Sequence, residues 1–163
     1  MKKVLLLEDD ISVLDATRNA FHSALDECEI TTTSSLIALN KMLFTDPGVD
    51  EFDFVCLDLA IDMGSLPASA LRKALPKMFT GPDGMELPKA EAAGIRLYGL
   101  EYYKNVIWRD PKFRDCRTTK FILITGHVNL VERYKLLSDC KGVKIVKKSG
   151  EGTSDDFFRL LRQ

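Results

Sequence analysis

At 163 residues, 45% hydrophobic and 29% charged, the chain has the size and composition of one globular domain with its own core. Its 23 Lys and Arg against 24 Asp and Glu give a net charge of -1, which excludes the basic footprint of a nucleic-acid or anionic-membrane binder. No apolar run is long enough for a membrane span, and the opening MKKVLLLEDD reaches acids too early for a signal-peptide core, so a cytoplasmic protein with no membrane partner is expected.

The first strand is expected near Val4 (VLLL), ending on Glu8, Asp9 and Asp10. A helix follows over Ile11 to Leu25, with Ile11, Leu14, Arg18, Phe21 and Leu25 at helical spacing. CEITTT from Cys28 reads as a second strand, and Leu36 to Phe44 as a second helix with Ser34 or Ser35 as its N-cap. FDFVCL from Phe52 is a third, apolar strand that stops on Asp58. Tyr98 to Trp108 gives a third helix, KFILIT from Lys120 a fourth strand ending on Thr125, and Val128 to Leu137 a fourth helix. VKIV from Val143 is a fifth strand running into Lys147 and Lys148, and Asp155 to Leu161 closes the pattern with a fifth helix. Three of the four strand-to-strand intervals are nearly equal and the third is much longer, because 63–97 is inserted between strand three and its helix.

Short apolar strands alternating with helices predict an α/β fold, a doubly wound five-stranded parallel sheet in one domain spanning 1–163. The four cysteines (Cys28, Cys56, Cys116, Cys140) form no CxxC pair and only His22 and His127 are present, so zinc-type spacing is absent and the thiols are expected to be reduced.

Sites in such sheets lie beyond the carboxyl ends of the strands, where strand order reverses. In the order 2-1-3-4-5, strands one and three are neighbours roughly 4.8 Å apart, which brings Glu8 and Asp9 beside Asp58, with Thr125 on the far side. A lysine from strand five, Lys147 or its neighbour Lys148, reaches in from about 10 Å. Three carboxylates repel one another unless a cation joins them, and an all-oxygen donor set without His or Cys favours Mg²⁺. A carboxylate in that setting is a nucleophile toward phosphorus, with Lys147 and the Thr125 hydroxyl neutralising the transferred group.

These residues resemble the receiver domain of two-component response regulators, the CheY-like family with flavodoxin-like topology. VLLLEDD resembles its acidic pair, carried by Glu8 and Asp9, and FVCLDLA its phosphoacceptor strand, with Asp58 as acceptor and the Ala60 carbonyl as backbone metal ligand. FILITGH places Thr125 at the switch hydroxyl, and VKIVKK places Lys147 at the family's lysine. The resemblance implies a stand-alone receiver that takes a phosphoryl group from a histidine kinase or phosphotransfer protein, uses Mg²⁺, hydrolyses the phosphate slowly, and signals to a downstream protein partner. That partner is expected to dock on the face formed by Val128 to Gln163.

Departures from the pattern are concentrated around the switch. Lys148 follows Lys147 where the family carries proline, Asp62 replaces a second proline, and Lys144 stands where a switch aromatic belongs. The resemblance implies that Ala60 and His127 border the route by which water reaches the phosphoryl group. These departures keep a second reading open, a degenerate receiver acting through protein contacts alone. A third, a metal-dependent phosphohydrolase or nuclease, wants a closer Asp-x-Asp spacing than Asp58 to Asp62 provides. Within the insertion, Leu71, Leu75, Met78 and Phe79 form a partial apolar stripe on a short helix broken near Pro76. The segment leaves the strand that bears Asp58 and is either a lid or docking surface at the site's rim or a tolerated surface elaboration.

Overall fold

The computed structural model describes residues 1–25, 27–61, 68–79, 97–133, 135–149, 152–153 and 159–161. Strands β1 (Lys2–Leu7), β2 (Cys28–Thr33), β3 (Phe54–Asp58), β4 (Phe121–Thr125) and β5 (Lys144–Ser149) pair in parallel in the order 2-1-3-4-5. A sixth strand, β6 (Gly152–Thr153), adds antiparallel to β5 and was not expected. It is a two-residue return of the chain after β5, too short to leave a periodic signal in the sequence.

Helix α1 (Ile11–Ala24) starts on Asp10, whose carboxylate accepts from the backbone N–H groups of Ser12 and Val13. Its buried residues are Thr17, Phe21 and Ala24, so the inward stripe is rotated from the expected one. Ile11 is 75% exposed and Arg18 is exposed. Helix α2 (Leu36–Phe44) is capped by the Ser35 hydroxyl and buries Leu36, Leu39 and Leu43, the expected face. Helix α3 (Ala68–Ala74) gives way before Pro76 to a 3₁₀ turn over Pro76–Phe79, as the proline requires. Helix α4 (Tyr98–Tyr102) begins at the YGLE stretch and continues as a π-helix over Tyr103–Ile107, where the Trp108 N–H donates to the Tyr103 carbonyl at 2.7 Å. The wide turn keeps Tyr103, Val106 and Ile107 all facing inward, whereas an unbroken α-helix was expected. Helix α5 (Val128–Arg133) stops short of the expected Leu137, and 159–161 are helical within the expected last helix. Most of the 63–97 segment, with Asp62, lies outside the described residues.

Strand alternation sorts the core into two layers. Leu5, Leu7, Val55, Leu57 and Leu123 pack with α2, α3 and α4, while Val4, Leu6, Cys56, Ile122, Ile124 and Val146 pack with Phe21 and Ala24 of α1 and Leu161. Leu71, Leu75 and Met78 belong to the first layer, so residues 68–79 complete the core rather than decorate it. Met78→Ala is accordingly expected to cost about 2–5 kcal/mol in urea denaturation. A cost below 1 kcal/mol would mark a surface role, since exposed substitutions usually stay within about 0.5 kcal/mol.

Candidate phosphoacceptor and metal site

Glu8 and Asp58 are both buried, and both arrive at the carboxyl edge of the sheet because β1 and β3 are adjacent, with Leu7 paired to Leu57. Glu8, Asp9 and Asp58 each offer a carboxylate oxygen, and these atoms lie within 4.8 Å of one another. The backbone fixes them further. The Glu8 N–H donates to the Thr33 carbonyl at 3.0 Å, the Asp10 N–H to Glu8 Oε1 at 3.1 Å, and the Ala60 N–H to Asp58 Oδ1 at 3.1 Å.

The amine that meets this cluster belongs to Lys148. Its Nζ lies 2.6 Å from Glu8 Oε2 and 2.9 Å from Asp58 Oδ2. Lys147, the residue expected there, is exposed and pairs in register with Thr125. The reason is strand alternation: Asp58 pairs with Ile124 and Ile124 with Val146, so the face carrying Asp58 continues along β5 to Lys148 and not to Lys147. A sequence signal for this existed, since Leu6 and Glu8, Cys56 and Asp58, and Val146 and Lys148 each keep the two-residue step. Using it required the register. Placing the amine at Lys148 puts Ser149 after it and Ile145 three residues before, so neither the family's proline nor its aromatic is restored.

Thr125 is fully buried, one residue beyond the Ile124 that pairs with Asp58, and its hydroxyl accepts from the His127 backbone N–H at 3.0 Å. Ala60 contributes its peptide, with the N–H already turned to Asp58.

Burial pushes the Glu8 carboxyl above its ordinary range; the Lys148 hydrogen bond only partly offsets this, and the neighbouring Asp58 charge reinforces it. For Lys148 burial opposes the charge, but the two carboxylates outweigh it and hold the amine above its usual pKa. Three carboxylates and one ammonium leave a formal charge of about -2 in a half-buried pocket, a donor set of hard oxygens matched to Mg²⁺ in charge and chemistry.

Gly99 of α4 touches the Asp58 backbone, a contact the sequence did not announce. Its N–H donates to the Leu59 carbonyl at 3.1 Å, and a Cβ added there would fall 2.0 Å from the Asp58 carbonyl oxygen.

No family model matches the sequence, and no curated protein matches it. Among solved structures, that of the bacteriophytochrome response regulator AtBRR is similar, with a TM-score of 0.54 at 17% identity over 99% of this chain and 91% of that one. The chain has a receiver fold. The five parallel strands in 2-1-3-4-5 order and the helices covering both faces are the elements of that fold. Among the described residues no helix is long and apolar enough to cross a membrane.

Proposed function

We propose that the protein is a Mg²⁺-dependent phosphoacceptor that receives a phosphoryl group on Asp58 from a histidine kinase or phosphotransfer protein and passes the signal on through protein contacts. The observation that carries this reading is the convergence of Glu8, Asp9 and Asp58 within 4.8 Å with the Lys148 ammonium on Asp58. An Asp58 carboxylate oxygen attacks phosphorus, the bond from phosphorus to the donor breaks, and the donor leaves with that electron pair. Lys148, 2.9 Å from Asp58 and on a rigid strand, neutralises an oxygen of the arriving group. Glu8 and Asp9, with Asp58 and the Ala60 carbonyl, would hold Mg²⁺, which supplies charge neutralisation at the phosphoryl oxygens. Burial of Glu8 and Asp58 limits water at the acceptor. Thr125, whose hydroxyl accepts from the His127 N–H at the end of β4, is the candidate for the switch role in this reading. A cytoplasmic location fits the partners this reading requires.

The test is mass spectrometry after incubation with Mg²⁺ and acetyl phosphate. One phosphoryl group is expected on the wild type and none on Asp58→Asn, with chelator abolishing the reaction. Labelling that persists in Asp58→Asn, or that survives hydroxylamine or alkali as an acyl phosphate does not, would overturn the assignment.

A further inference from the structure

A second concavity lies away from the carboxylates, between α2, the α3–Pro76 segment and the π-helix. It has a volume of about 320 Å³, at the small end of the range of about 300–1,000 Å³ for small-molecule sites. Phe44, Leu75, Pro76 and Val106 give it apolar walls, and its mouth opens to solvent between Ala74, Pro76 and Lys77, which are exposed. Water in such a pocket is poorly satisfied, so its displacement by an apolar ligand is favoured. The frame is preformed. The Asn105 side chain donates to the Met78 carbonyl at 2.9 Å, tying the π-helix to the 3₁₀ turn, and Lys77 reaches Asp110 at 2.9 Å while lying over the Phe44 ring at 5.6 Å.

Two polar residues decide what fits. The one charged residue of the lining, Lys77, already holds the Asp110 carboxylate at 2.9 Å, so a ligand carboxylate would have to compete with Asp110 for its ammonium. Asn40 takes a hydrogen bond on Oδ1 from the Tyr102 hydroxyl at 3.0 Å, which leaves its NH₂ as the donor end of the amide in the lining. From this lining we infer that the cavity binds a small uncharged molecule with an apolar ring or chain and one oxygen that accepts from Asn40.

Acetophenone, an aromatic ring with a single carbonyl, is the probe, and benzoate is its charged counterpart. In methyl-labelled full-length protein, acetophenone is expected to shift the Leu75 and Val106 methyl resonances saturably and to bind more tightly than benzoate. Ala74→Phe adds a ring at the exposed mouth without displacing the core, and is expected to weaken acetophenone by about tenfold or more. An unchanged thermal midpoint and a dispersed spectrum for that variant confirm that it is folded. Shifts absent from Leu75 and Val106, an affinity unchanged in Ala74→Phe, or tighter binding of benzoate would each overturn the inference. None of these readings involves Asp58, so their failure and a failure of phosphorylation are separable.

Discussion

Lys148→Met is expected to slow phosphoryl incorporation from acetyl phosphate by about 10²–10³-fold, the usual loss when one preorganised charge at a transition state is removed. The same variant should bind Mg²⁺ more tightly, because losing the ammonium 2.6 Å from Glu8 and 2.9 Å from Asp58 makes the pocket more negative. Slower chemistry with stronger cation binding is a pairing that general unfolding cannot produce. Lys147→Met serves as the control one residue away, and its exposed position predicts rates within about twofold of wild type and little change in stability. Both quantities come from one set of experiments, a labelling time course and a Mg²⁺ titration. If Lys147→Met shows the large loss and Lys148→Met does not, the register of β5 is other than described.

Gly99→Ala separates two opposed effects. Helix propensity alone says that alanine in α4 should stabilise, by roughly 0.5–1 kcal/mol. Packing says the reverse, because the added Cβ would stand 2.0 Å from the Asp58 carbonyl oxygen and 3.0 Å from Leu59 Cα, both backbone atoms that no rotamer change can move. Overpacking of this kind costs about 1–3 kcal/mol or more, so the net expectation is destabilisation. In a chain of this length each kcal/mol lowers Tm by about 2–4 °C. A calorimetric Tm at or above that of wild type would show that α4 does not press on the Asp58 peptide. Phosphorylation of this variant should also be slower, since relief of the clash displaces the residue whose carboxylate must be aligned.

The sequence told most where a chemical group had to end on a strand. VLLLED and FVCLD each run an apolar strand into a carboxylate, and adjacency of strands one and three then brings Glu8, Asp9 and Asp58 together. The YGLE start of α4 was legible from the late restart of helical spacing, and the break at Pro76 from proline chemistry. Two neighbouring lysines could not be told apart because both faces of β5 are mixed, and only pairing with β4 says which face Asp58 shares. The π-turn at Tyr103 and the return strand β6 lie in spacings that an α-helical or period-two pattern does not distinguish. Ile11 misled for another reason: it keeps the helical period but is exposed, while Thr17, Phe21 and Ala24 carry the buried face, a rotation of the stripe that period alone does not fix.

Glu8, Asp9 and Asp58 precede Lys148 by a long way in the chain, with 90 residues between Asp58 and its ammonium partner. At translation rates of about 5–20 residues per second, Asp58 is added to the chain roughly 5–18 s before Lys148. During that interval β1 and β3 meet only by pressing like charges together, and a divalent ion from the surroundings is the readiest counterweight. On the Mg²⁺ reading proposed above, depletion of free Mg²⁺ is expected to hold the nascent amino-terminal half open until its last strand is made, which limited proteolysis of stalled nascent chains would detect.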